Sequence, residues 1–304
     1  MKIGLDLDAL LILDVIARSH SFAAAAEELH RVPSSITYAI KKLEQNLGVT
    51  LFDRSGHRAH LTAAGKELLN AGRDLLVQAE RIERNVKRIE TGWEAIFRIA
   101  VSDLLPYERV FSLCEEIYSV SPGTKLSLTT EVLAGTWDAL ISGRADFVLG
   151  APGQSPSDGG YHSSFLGDVE FVFAVAPHHP LASNDGPLLQ NEIRNYRAVA
   201  AADSSRSLPS LSFGLLSGQN VLTVPNMQVK RQVQIKGLGV GYLPLHLIRE
   251  DIAQGRLVIK ETEDGMSSTH TICYAWRSRQ QGMVMEWLKK RLAAESHSFD
   301  WLSS

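Results

Sequence analysis

Leu61, Gly65, Leu68, Gly72, Leu75, Ala79, Ile82, Val86 and Ile89 recur at intervals of four and three in strict alternation. Seven residues bring a helix back to the same face, so this stretch predicts one long helix with a single apolar seam, over about four heptads. Its other faces carry Arg73, Asp74, Glu80, Arg81, Glu83, Arg84, Lys87, Arg88 and Glu90 and belong in water. Such a helix cannot cover its own seam. Packing on its own domain is one solution, but so regular a repeat favours pairing with a second copy through Leu68, Leu75, Ala79, Ile82, Val86 and Ile89. This helix divides the chain into a part before it and a part after it.

The part before is helical. Leu10, Leu13, Ile16 and Ala17 predict a helix over 7–18. Ser21 is placed to cap the alanine-rich helix over 22–29. Pro33 suits the first turn of a third helix, which runs to Leu47 and stops at Gly48. Ile36, Ile40, Leu43 and Leu47 form its apolar stripe; Ser34, Ser35, Thr37, Tyr38, Lys41, Lys42 and Gln45 face the other way. Two such helices across a tight turn are the minimum for a helix-turn-helix, and Ala24, Ala25 and Ala26 allow a steep close crossing. An ordinary helical hairpin has the same spacing. Residues 51–61 have apolar ends and a basic Ser-Gly middle, predicting a two-stranded wing that presents Arg54, His57 and Arg58 to a phosphate backbone.

After Gly92 strands and helices alternate. Strands over 97–101, 126–133 and 147–149 enclose helices over 110–120 and 136–142, the rhythm of a parallel sheet. A second set follows: strands over 169–175, 197–201 and 221–224, a helix over 228–235, a glycine turn with a short strand over 237–244, a strand over 271–276 and a closing helix over 283–293. Two α/β lobes form a cleft, and ligands settle outside the carboxyl ends of parallel strands. Those ends are Ser102-Asp103, Val132-Leu133-Ala134 and Gly150-Ala151 from one lobe, with Ala202-Asp203 and Asn226-Met227 from the other.

Composition narrows the classes. The 304 residues are 44% hydrophobic and 21% charged, which excludes general disorder. No run of 18 apolar residues predicts a membrane span, and the first residues show no secretory leader. Two cysteines are too few for a disulfide framework, so a reducing cytoplasmic setting is expected. The net charge of −3 hides an asymmetry: residues 1–91 sum to +1, with +3 concentrated in 15–66, and residues 92–304 sum to −4. A mildly basic N-terminal patch is consistent with DNA contact, although a solvated surface looks similar.

Over essentially its whole length the chain resembles the LysR-type transcriptional regulators. The resemblance rests on Ser21-Phe22-x3-Ala26-Glu27-x-Leu29-His30, on Ser35-Ile36-Thr37-x2-Ile40-x2-Leu43-Glu44, and on Leu47-Gly48-Val49-x-Leu51-Phe52-x-Arg54-x3-Arg58-x2-Leu61-Thr62-x2-Gly65. Further on, His179-Pro180-Leu181-Ala182 and Gly237-x-Gly239-Val240-Gly241-x-Leu243-Pro244 look like the family's effector-domain signatures. The resemblance implies a winged helix-turn-helix over 1–61, a linker dimerisation helix over 62–91 and an α/β effector domain over 92–304 like type 2 periplasmic binding proteins. Lobe I would comprise about 92–165 and 266–304, and lobe II about 166–265. Implied partners are duplex DNA carrying an interrupted palindrome, a small effector, further copies in a dimer or tetramer, and RNA polymerase; no cofactor, metal or membrane is implied. Ser102 falls where the family often places a hydroxyl for a polar effector group.

The reading surface departs from the family pattern. Pro33-Ser34 stand where Gln-Pro is common, and Thr37-Tyr38 where many members have Ser-Arg. Without that arginine a different base preference is expected, with Tyr38 against bases or phosphate and Arg31 and Lys41 on phosphates. Val132, Leu133 and Ala134 make one cleft wall apolar, so the expected effector is small and partly apolar, aromatic for example, with one polar anchor.

Enzyme chemistry finds little support. Gly237-x-Gly239-x-Gly241 precedes a strand and opens no helix, so it is no dinucleotide fingerprint. There is no Walker loop and no G-x-S-x-G elbow. His178-His179 read as a surface turn, and Cys114 and Cys273 as core residues. Two other classes stay open at this point: a binding protein whose helical N-terminus only oligomerises, and an α/β enzyme carrying a DNA-binding domain.

Overall fold

The computed structural model describes residues 4–53, 59–153, 159–279, 281–295 and 301–302. They form two compact units, residues 1–86 and 87–304.

The first unit holds α1 (Leu7–Ser19), α2 (Phe22–Glu28), α3 (Pro33–Leu47), β1 (Phe52–Asp53), β2 (His60–Leu61) and most of α4 (Ala63–Thr91). Local chemistry sets the helix ends. The Asp6 carboxylate accepts from Asp8 N–H (3.2 Å), the Ser21 hydroxyl from Ala24 N–H (3.3 Å) and the Thr62 hydroxyl from Gly65 N–H (3.0 Å). Gly48 closes α3 at φ +70°, where a side chain would be strained. Ile12, Leu13, Ile16, Ala25, Ile36, Ile40 and Leu51 are fully buried together, and the Phe22 ring stands edge-on to Phe52 at 5.2 Å. Strands β1 and β2 pair antiparallel, and Glu44 ties α3 to β1 by accepting from Leu51 N–H at 2.8 Å. The stripe predicted for α3 ends one turn early, since Leu47 is partly exposed.

The N-terminal half of α4 packs on its own unit. A Cβ at Gly65 would lie 2.2 Å from the Leu51 carbonyl oxygen, and one at Gly72 would lie 3.0 Å from Leu10. These seam glycines allow close helix approach within one chain. Leu68 is half-buried against the same core, so it serves intrachain packing rather than standing free for a partner. Beyond it the seam emerges: Leu75, Ile82 and Val86 are 46%, 62% and 63% exposed, and Ala79 is half-buried. The side chain of Ile89 lies outside the described residues.

The second unit begins with β3 (Ile96–Ser102), α5 (Tyr107–Val120), β4 (Lys125–Glu131), α6 (Gly135–Ser142), β5 (Phe147–Pro152) and β6 (Tyr161–Val175). It continues through α7 (Gln190–Ile193), β7 (Ala198–Ala201), β8 (Val221–Val224), α8 (Met227–Ile235), β9 (Gly241–Pro244), α9 (Leu245–Ala253), β10 (Val258–Lys260), β11 (Ser267–Arg277) and α10 (Met283–Glu295). β4, β3 and β5 run parallel; β11 joins β5 antiparallel, and β6 joins β11 antiparallel. The far half of β6 pairs with β9 and β10, while β7 and β8 form a parallel pair bridged to Val240. The strand expected over 169–175 therefore starts at Tyr161, and the expected lobe boundary at 165/166 falls inside it. β6 and β11 pass through both lobes; the first residues of each, 161–165 and 267–271, are mostly exposed and polar, which hides the strand signal there. The core packs Phe97, Ile99, Val101, Phe147 and Leu149 against Val110, Leu113 and Ile117 of α5 and Val284 and Leu288 of α10.

Candidate functional site

On α3, burial of Ile36, Ile40 and Leu43 turns the opposite face outward. Ser34, Lys41 and Lys42 are exposed there, and Tyr38 is 67% exposed. The side chains of Tyr38, Lys41 and Lys42 make no hydrogen bond or ring contact among the described residues, which leaves them available to an outside partner. Their neighbours are committed locally. The Ser35 hydroxyl donates to the Val32 carbonyl (2.8 Å) and the Thr37 hydroxyl to the Pro33 carbonyl (3.0 Å). Ser21 is consumed as the α2 cap, and Pro33 opens α3 with no side-chain donor. Arg31 is not a free cation. Its guanidinium donates two hydrogen bonds to Asp8 (2.7 and 2.8 Å), which hold the Asp8 carboxyl below its ordinary range and offset the positive charge. The wing-tip residues Arg54, His57 and Arg58 lie outside the described residues.

In the second unit the strand ends do converge, but largely onto one another. Ser102 is buried, and its hydroxyl accepts from Leu104 N–H at 3.4 Å. Asp103 is buried too: Met227 N–H at the start of α8 donates to its Oδ2 at 2.8 Å, and Asp103 N–H donates to the Glu131 carbonyl. Asn226 caps α8 by accepting from Val229 N–H at 2.9 Å. The wall expected to stay open at Val132-Leu133-Ala134 is covered by a strap after β7. Val132 N–H donates to the Ser204 hydroxyl (2.8 Å), Ala134 N–H to Asp203 Oδ2 (3.3 Å), and Ser207 N–H to Asp138 Oδ1 (2.9 Å). Leu133 takes φ +53° to make this turn. Asp203 also accepts from Ser205 N–H and Leu211 N–H, so its carboxylate is engaged by backbone. Ala151 sits wholly in the core, Met227 is 3% exposed, Ala202 is half-buried, and Gly150 (φ +80°) lies so close to Ser102 that a Cβ would meet it at 2.8 Å.

The charges around these ends are sorted. Buried Glu131 and Asp138 share Arg144; burial raises the Asp138 pKa, but the Arg144 and backbone hydrogen bonds outweigh it and leave it lowered. Two residues of α8 that sequence reasoning passed over face the same region. Gln234 Nε2 donates to the Ala174 carbonyl (3.0 Å) and the Gly241 carbonyl (2.9 Å). Lys230, one turn from Met227, is 2% exposed and stands toward Asp103 and Gly241. A separate cavity of about 390 Å³ lies against the face of β6 and β9 that carries Phe173 and Tyr242, with Phe213 and His270 in its lining. His179, expected in a surface turn, is buried: its Nδ1 accepts from Leu181 N–H at 3.2 Å and its ring packs on Tyr196.

Comparison with known proteins assigns both units. Residues 7–66 match the family described as bacterial regulatory helix-turn-helix protein, lysR family, and residues 90–296 match the LysR substrate binding domain. The uncharacterized HTH-type transcriptional regulator YeeY of Escherichia coli (strain K12) is 38% identical over 290 residues, covering 95% of this chain and 94% of YeeY. The HTH-type transcriptional regulator PunR of the same strain is 32% identical over 295 residues, covering 97% and 95%. The crystal structure of CbnR, a LysR family transcriptional regulator, superposes with a TM-score of 0.63 at 16% identity, covering 97% of this chain and 100% of CbnR. At that identity CbnR speaks for the fold alone. Among the described residues no single helix is long and apolar enough to cross a membrane. With an exposed polar face on the second helix of a helix-turn-helix and a two-lobed α/β unit behind it, the chain belongs to the LysR-type transcriptional regulators, DNA-binding proteins with an effector domain and not enzymes.

Proposed function

We propose that α3 is the recognition helix, reading major-groove edges with Ser34 and Tyr38 and holding phosphates with Lys41 and Lys42. The observation that carries this reading is the unpartnered, exposed cluster of Tyr38, Lys41 and Lys42 on the face opposite Ile36 and Ile40. Full-length CbnR has been solved in complex with its target DNA, and its fold is shared here. Two copies pair through the exposed part of the α4 seam, Leu75, Ala79, Ile82 and Val86, with Ile89 continuing it. Their recognition helices then enter successive major grooves about one turn apart, giving an interrupted palindrome. Two dimers join as a tetramer acting in the cytoplasm. The units divide as reading head 1–61, linker 62–91 and effector domain 92–304.

The effector is a small molecule held between the lobes, near Ser102, Asp103, Ala202, Asn226 and Met227, with the strap at 203–208 closing over it. Its binding changes the lobe angle, the bending of the bound DNA and the engagement of RNA polymerase. Differential affinity for the two arrangements is what any such control requires. Footprinting on the DNA upstream of the gene, with gel shifts at about 50 and about 200 mM salt, tests the first part. A dyad-symmetric footprint and at least tenfold weaker binding at the higher salt are expected. Indifference to duplex DNA at the lower salt refutes the reading.

A further inference from the structure

The ionisable side chains gathered at the strand ends of the second unit have partners, with one exception. Asp103 accepts from Met227 N–H, Asp203 from three backbone N–H groups, and Glu131 and Asp138 share Arg144. Lys230 is the exception. It is 2% exposed, yet among the described residues its ammonium makes no hydrogen bond and no ion pair. Met227 and Lys230 are three positions apart on α8, so they share the face turned to Asp103 at the end of β3. On its other side the Lys230 chain passes Gly241 at the start of β9, where a Cβ would sit 3.6 Å from both Cε and Nζ, in ordinary van der Waals contact.

An ammonium so nearly buried and without a hydrogen-bonded partner costs stability. The protein carries that cost in its resting form. Burial pushes the Lys230 pKa down to about 8, and burial pushes Asp103 up to about 6, where it binds its proton far more readily than a free aspartate. Asp103 is already held by Met227 N–H, so it offsets the ammonium at a distance without bonding to it. A ligand that brings its own negative group removes the mismatch directly.

We propose that Lys230 is the charge-reading residue of the interlobe cleft, and that the effector is an anion whose carboxylate accepts a hydrogen bond from the Lys230 ammonium. This rests on the reading of the cleft as the effector site. It sharpens that reading, because a neutral apolar molecule anchored at Ser102 alone would leave the ammonium unpaired.

Two experiments on the full chain test it. At pH 5, where Asp103 holds its proton and needs no counter-charge, Lys230→Met is expected to melt at or above the wild-type temperature, since a nearly buried ammonium is replaced by an apolar chain of similar length; a fall of more than about 5 °C makes Lys230 a structural cation and overturns the proposal. In the second, acetate, benzoate and succinate, each beside its neutral amide, and inorganic phosphate are titrated calorimetrically. At least one carboxylate is expected to bind tenfold or more tightly than its amide, with that preference lost in Lys230→Met. A preference for phosphate over every carboxylate, no carboxylate binding, or a preference that survives in Lys230→Met overturns the assignment. Ala202→Leu, which narrows the same cleft without touching the ammonium, separates the two ideas. Acid and amide bound alike by the wild type but weakened in Ala202→Leu keep the cleft and remove the anion. Carboxylate binding unmoved by either substitution removes both.

Discussion

Tyr38 and Lys41 sit on the same helix face three residues apart and are expected to fail differently. A ring that contacts base edges discriminates sequences, whereas an ammonium on a phosphate does not. Tyr38→Ala should change which operator bases matter, with a cost of about 1–3 kcal/mol confined to one or two positions, read from binding to a set of single-base variants. Lys41→Ala should weaken all sequences alike and lower the salt slope by about 1. Arg31→Ala should cost DNA affinity less than Lys41→Ala, because Asp8 already holds the guanidinium. Asp103 makes a pH prediction. Its folded pKa, raised by burial from 3.8 to about 6, means the folded state holds the proton more tightly than the unfolded chain. Its contribution to stability is thus present below pH 3.8 and lost as pH rises to about 6. In thermal melts between pH 4 and pH 7, Asp103→Asn should gain on the wild type as pH increases. If the difference stays flat, the carboxyl is ionised throughout.

At the scale of elements, the α4 seam meets two environments. Gly65 lies against the Leu51 carbonyl oxygen, a backbone atom that cannot swing aside. Gly65→Ala should therefore destabilise the first unit by about 1–3 kcal/mol, measured by chemical denaturation. Leu75→Asp or Ile82→Asp should leave that unit folded and shift the protein toward monomer in sedimentation equilibrium, since both side chains are exposed in the single chain. A heptad pattern records only that one face is apolar. It does not record which neighbour covers it, and here an intrachain core takes Gly65, Leu68 and Gly72 while the later residues stay open. The helices of the reading head were legible because Ser21, Thr62, Pro33 and Gly48 act within a turn of their own position. The first-lobe half of β6 was not legible, because its exposed polar residues show no alternation that a single sequence can reveal.

At the scale of the whole chain, the strap after β7 changes what the cleft is. Amides of Val132 and Ala134, at the end of one lobe's strand, are satisfied by Ser204 and Asp203 from the other. Ser204→Ala should speed hydrogen exchange at 131–135 in the effector-free protein, and an effector that closes the lobes should slow it again. Strand-end logic treated these segments as surfaces, whereas Ala151, Val132 and Met227 are interior and Asp203 is engaged by backbone. Lys230 was present in the sequence as a charged residue at a core-facing position, three from Met227 and four from Gln234 on α8. Only the fold shows that, among the described residues, no carboxylate comes within bonding distance of it. The sequence alone determined the elements, the family and the outward face of α3, because caps, periodicity and motif spacing act over a few residues. Tertiary structure decided which apolar and charged groups are spent inside the protein and which are left for a partner, because burial and pairing depend on chain segments a hundred residues apart.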